Sequence, residues 1–148
     1  MKVIHVVWEG RWSGPPSRVL ALAPALAREG VASVLVVPED GADWIYVEAW
    51  PDAAGLNEDG FLEAILAVVE DGWGAPIEAP VARTLGGEPG YLATFRFAFD
   101  DGSEGIAFDV LAMHDNVGWD VTLLSAPGVE TQDFKLLEQF LATFAYIE

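Results

Sequence analysis

Three apolar stretches near the C-terminus, YLATFRFAF, EGIAFDVLAM and GWDVTLL, are joined only by short Asp/Gly/Asn turns. That spacing leaves no room for crossover connections, so the three must pair as neighbouring antiparallel strands. Tyr91, Ala93, Phe95, Phe97 and Phe99 alternate onto one side, with Thr94 and Arg96 on the other. Asp101-Gly102 is a hairpin signal. Ile106, Phe108 and Val110 share a face of the next strand, and the DNVG turn leads to Trp119, Val121 and Leu123. An amphipathic segment follows, with Thr131 as its expected N-cap. It carries Phe134, Leu137, Leu141 and Phe144 at helical spacing, and Ala145 to Ile147 could add a short terminal strand.

Upstream, Asn57 to Asp71 predicts a helix. Asn57 is a favoured N-cap, and Glu58 and Asp59 complement the positive end of the helix. Phe61, Leu62, Ile65, Leu66, Val68 and Val69 give it a wide apolar face, and Gly72 is the expected stop. Val31 to Val37, closed by Pro38, and Trp44 to Trp50 read as strands. Ile77 to Leu85 reads as a further strand, broken by LGGEPG. Lys2 to Trp8 predicts an opening strand, with His5 inside it. A Gly/Pro loop then feeds VLALAPALAREG, a helix that either starts near Ala23 with Pro24 in its first turn or runs from Ser17 and is kinked at Pro24. Gly30 stops it.

Several strands are apolar on both sides, which calls for a sheet covered on both faces. The expected fold is therefore α+β. It is a single domain, 1–148, with a mostly antiparallel central sheet and helices on both faces. Residues 1–40 form a β-α-β-like segment and 41–148 an antiparallel sheet with two helices. At 148 residues and 52% hydrophobic, the chain can build a real core. No apolar run reaches the ~18 residues of a membrane span. The N-terminus lacks an apolar stretch with a small-residue cleavage site, so we expect no secretory signal and a cytoplasmic location.

The absence of cysteine removes disulfides, thiolate metal sites and a cysteine nucleophile. Twenty-four acids against seven bases give a formal net charge of -17. That charge argues against nucleic acid and anionic membranes, which need basic surfaces. The acids are spread along the chain, as expected for solubility, and they leave an acidic face that docks a basic partner or mimics nucleic acid as the sharper possibility.

No catalytic set converges. His114 and Asp115 end a strand, with Asp109, Asp120 and Ser125 nearby in sequence, but no nucleophile elbow presents Ser125. His5 and His114 have no metal-ligand spacing, and DDGSEG lacks the alternating oxygens of a calcium loop. We expect no metal site and no cofactor. Paired carboxylates cannot be singled out among so many acids. Six tryptophans are many for this length, and Trp8 and Trp12, flanking the Gly/Pro loop, are candidates for an interaction surface.

The opening MKVIHVVWEGRWSGPPSRVLALAPALAREGVASVLVVPED resembles the first β–α–β unit of glycosyltransferases built from two Rossmann-like domains. Gly14, Arg18, Leu26, Gly30 and Pro38 sit where that pattern has them. The resemblance implies an anion site at Gly14, Ser17 and Arg18, where a glycine loop feeds a helix N-terminus. The family's Gly-Gly pair is Gly14-Pro15 here, and the donor-holding second domain has no counterpart, so the activity does not carry over.

From about Val31 onward the order resembles the PsbP-like superfamily. The resemblance rests on the strand ending in Pro38, Trp44, the helix Asn57 to Asp71, LGGEPG before an aromatic strand, and the closing helix running into TFAYIE. That superfamily includes extrinsic photosystem II subunits and a Ran-binding nuclear transport factor. Without a transit segment, the lumenal photosynthetic members are not the expected relatives. The resemblance implies an α/β/α sandwich that acts through protein contacts, without catalysis, and it transfers no residue role. The expected function is a non-catalytic binding module with a protein partner or self-association. The alternative is a nucleotide or phosphosugar binder, or an enzyme, using the Gly14–Arg18 loop.

Overall fold

The structure is a computed structural model that describes residues 32–36, 44–99 and 101–146. Among them, six strands form one sheet in the order β1-β2-β6-β5-β4-β3, every neighbouring pair antiparallel. The strands are β1 (Ala32–Val36), β2 (Trp44–Trp50), β3 (Val81–Leu85), β4 (Glu88–Ala98), β5 (Glu104–His114) and β6 (Val117–Ser125). Helix α1 (Glu58–Trp73) lies between β2 and β3 in sequence, and α2 (Glu130–Thr143) follows β6. The described residues form a single α+β domain. β1, which lies within the 1–40 segment, pairs with β2 along its whole length.

Each helix takes one face of the sheet, and strand alternation decides which residues it meets. Phe61 and Ile65 of α1 pack on Leu111, with Trp50, Tyr91 and Met113 around them. Leu66, Val69 and Trp73 pack beside Ala93, Phe95, Phe97 and Ala107. On the other face, Leu137 of α2 is fully buried among Ile45, Val47, Leu85, Val110, Ala112, Val121 and Leu123, with Phe134, Leu141 and Phe144 packed around it. The expected apolar stripe of the closing helix is thus the one that docks. Burying each such side chain contributes about 1.5–3 kcal/mol.

Asn57 caps α1 as expected: its side-chain oxygen accepts the Gly60 N–H at 2.9 Å. The helix runs past Gly72 to Trp73 and ends at Gly74, whose φ of 73° only glycine adopts readily. Trp73 explains the extension, since its ring packs 5.5 Å from Phe95 and 6.3 Å from Phe97.

Most of the other boundaries shift for local reasons. β3 starts at Val81 rather than Ile77, after Pro80, which has no N–H for a ladder. Ile77 instead donates a single bond to the Thr94 carbonyl at 2.7 Å. LGGEPG is a two-residue turn, Gly86-Gly87, and Glu88 to Gly90 already belong to β4. Pro89 fits because the β4–β5 ladder begins one residue later, at Gly90 opposite Ala112. The DNVG turn is Asp115-Asn116, both left-handed, with Asn116 held by the Gly55 N–H at 2.7 Å. Thr131 lies inside the first turn of α2. Val129 occupies the cap position without a side-chain bond, and Glu130 accepts the Gly128 N–H at 3.0 Å. Ala145 and Tyr146 join no strand, because the Tyr146 ring is drawn onto the end of the sheet.

No helix of the described residues is long and apolar enough to cross a membrane.

Candidate functional site

Gly14, Ser17 and Arg18 of the expected anion loop lie outside the described residues. So do Trp8 and Trp12 of the expected interaction surface, His5, the strand Lys2 to Trp8 and the helix stopped by Gly30. Three polar arrangements stand within the described part.

The first is a row of acids on the α1 face of β2, β6 and β5. Pairing places Glu48 opposite Asp120, and Thr122 between Tyr46 and Asp109. Asp109 is 2% exposed and Asp120 4%, while Glu48 is half-buried. Trp50 Nε1 donates to Asp120 Oδ2 at 2.7 Å, and Thr122 Oγ1 donates to Asp109 Oδ1 at 3.3 Å. Asp120 Oδ1 is buried with no hydrogen-bond partner among the described residues.

Burial dominates the electrostatics of this row. It pushes the Asp109 carboxyl up to about 7, assisted by the charge on Glu48 and opposed by the Thr122 hydroxyl. Asp120 is raised well above the ordinary carboxylate range, first by burial, then by Asp109 and Glu48, against the Trp50 hydrogen bond. Burial raises Glu48 as well, and burial followed by the Glu48 charge raises the Tyr46 phenol. Chemically, the row is a store of protons held by carboxyls that resist ionisation. Among the described residues no three His, Asp or Glu side chains are grouped to hold a metal ion.

The second arrangement surrounds His114. Its ring stacks on Tyr146 at 3.8 Å with 10° between the planes. Its Nδ1 lies 2.9 Å from Glu88 Oε1, and its Nε2 lies 3.4 Å from Asp115 Oδ2. Trp119 meets the edge of Tyr146 at 5.7 Å. Behind the ring lies Gly86, where a Cβ would stand 2.6 Å from Tyr146 Cε2. The bare Gly86 backbone is thus the seat of Tyr146. Burial, then Glu88, raises the Tyr146 phenol, whose hydroxyl has no partner among the described residues.

Ser125 stands at the far end of the same sheet. It pairs with Ile106, whereas His114 pairs with Val117, eight residues further along β5 (106 to 114) and roughly 26 Å away. Its hydroxyl donates to the buried Asp133 of α2 at 2.5 Å. Ser125 and Asp133 therefore bind helix to sheet, and His114 belongs to an aromatic plug. In the DDGSEG loop, Asp101 accepts from the Ser103 N–H at 2.9 Å and hydroxyl at 2.7 Å, so its carboxylate closes its own turn.

The third arrangement is β3, which ends the sheet among the described residues. Val81 is 50% exposed, and Ala82 and Thr84 are exposed beside it. Arg83 pairs with Glu138 of α2, and the Tyr91 hydroxyl on β4 donates to Asp59 of α1.

The acid row escaped the sequence reading although a signal for it was present. Asp109 and Asp120 interrupt strands that are otherwise apolar on both sides, and a charge there must be buried.

These features define an antiparallel α+β sandwich domain with acids inside its sheet. Its fold is similar to that of PA94 from Pseudomonas aeruginosa, a protein of unknown function for which a regulatory role has been suggested. The crystal structure of PA94 superposes with a TM-score of 0.63 at 10% identity, covering 80% of this chain and 83% of that one. The likeness is one of fold alone. No protein-family model matches the chain, and no curated protein matches it.

Proposed function

We propose that this chain is a non-catalytic binding module whose partner is a protein, in the manner of the PsbP-like superfamily that it resembles. The observation that carries the reading is the commitment of the reactive side chains among the described residues to the scaffold. His114 is stacked and bridged, Ser125 ties α2 to β6, and Asp120 holds Trp50. A catalytic group needs access to a substrate as well as a tuned pKa. The net charge of -17 favours a basic partner, since complementary charge speeds encounter and selects against acidic competitors.

Titration of a purified candidate partner by calorimetry tests the reading. Saturable binding that weakens as salt rises is expected. A thermal-shift panel of nucleotides and phosphosugars tests the rival use of the Gly14–Arg18 loop, because a ligand held only by the folded state raises its melting temperature. A stabilising ligand from that panel that the chain also turns over would overturn the binding-module reading.

A further inference from the structure

We propose that the outer edge of β3 receives an extended basic segment of the partner as a seventh strand; this rests on the binding-module reading above. Leu85 and Glu88 close a two-residue turn, Gly86-Gly87, in which both glycines are left-handed. The closing pair of such a turn exchanges both of its backbone hydrogen bonds. Alternation then directs the N–H and C=O groups of Leu85, Arg83 and Val81 toward β4. Those of Ala82 and Thr84 point outward, away from the sheet. Both residues are exposed, and among the described residues β3 has no outer neighbour. Two donors and two acceptors stand ready for a strand, which is the requirement for β-augmentation.

The two faces of that edge differ, and the difference specifies the occupant. Val81 and Leu85 point to the α2 face, where Leu85 joins the core and Val81 is left half in water. An apolar side chain on an added strand would cover Val81 there. Ala82 lies opposite Tyr91 on the α1 face, and Tyr91 is held by Asp59 with Glu58 close enough to act on its phenol. Exposed Glu78 precedes the strand. Small side chains with acids behind them leave room for lysine or arginine on that row. The segment that fits alternates apolar and basic residues. An acidic one would meet Glu58, Asp59 and Glu78.

The probe is a blocked peptide of alternating Val and Lys, titrated into the whole chain and followed by amide hydrogen exchange and NMR shifts. Two backbone N-methylated versions accompany it, one blocking the amides that face β3 and the other blocking the alternate set. Expected are slowed exchange at Ala82 and Thr84, and a roughly tenfold loss of affinity in one N-methylated version only, as two amide bonds are lost. Replacing Lys by Glu in the peptide abolishes binding. Ala82→Pro, which removes an outward N–H, weakens the parent peptide, provided its far-ultraviolet spectrum is unchanged. Equal binding by both N-methylated peptides, protection mapped to another surface, or no binding overturns the edge site. None of these touches the binding-module reading, which stands or falls on the partner titration and the ligand panel.

Discussion

Glu48 and Asp120 face one another across the β2–β6 ladder, two carboxyls on adjacent strands with the second almost fully buried. Like charges placed directly opposite destabilise a sheet, and burial adds to the cost of ionising them. The row persists because its acids need not all be charged. That makes the stability of the domain depend on pH in an unusual direction.

Asp109 is raised from 3.8 to about 7 in the folded chain, so the native state holds a proton that the unfolded chain releases near pH 4. Stability therefore falls as pH rises from about 4 to about 7, and Asp120 and Glu48 act in the same sense. Below pH 4 these groups contribute no slope. Thermal melts across pH 4 to 8 should show the melting temperature declining toward neutrality. Asp109→Asn should flatten that decline and stabilise the domain at pH 8 by at least about 1.4 kcal/mol, the worth of one pKa unit.

Trp50 supplies the hydrogen bond that favours the charged form of Asp120. Trp50→Phe removes the donor and leaves both carboxyl oxygens without one among the described residues. The Asp120 carboxyl should then rise further. Denaturant titrations should show a loss of about 1–3 kcal/mol from the unpaired buried group.

Ser125 joins β6 to Asp133, which is 1% exposed. Ser125→Ala keeps the shape and deletes the donor, so a buried carboxylate loses its partner. Urea unfolding should register a loss of about 1–3 kcal/mol. The double variant Ser125→Ala with Asp133→Leu should cost less than the sum of the two singles, because Ser125→Ala alone strands the buried Asp133 carboxyl.

Gly118 is the floor on which Phe61 rests: a Cβ there would lie 2.4 Å from the ring. Gly118→Ala should displace the ring and cost about 1–3 kcal/mol, the usual penalty for overpacking. Phe61→Leu in the same chain should recover part of that loss, and a double-mutant cycle on chemical denaturation reads the coupling.

The described elements were legible because their signals are local. Asn57 and the acids after it announced α1, and the alternation from Tyr91 to Phe99 announced one face of β4. Two boundaries were moved by distant contacts. Trp73 stayed helical to reach Phe95 and Phe97, and Tyr146 left any strand to stack on His114. Asp109 and Asp120 were visible as acids in apolar strands, but their company was not. Glu48 lies 72 residues before Asp120 (48 to 120) and meets it only through the β2–β6 register.

Local chemistry in the chain decided its hairpins, its helices and the two covered faces of its sheet. Turn residues and hydrophobic period act over a few neighbours and need no knowledge of the whole. Which carboxyls share a face, which strand is left at the rim, and how far Ser125 stands from His114 were decided by strand order and register. Those are set by the packing of distant segments, so only the assembled tertiary structure could place them.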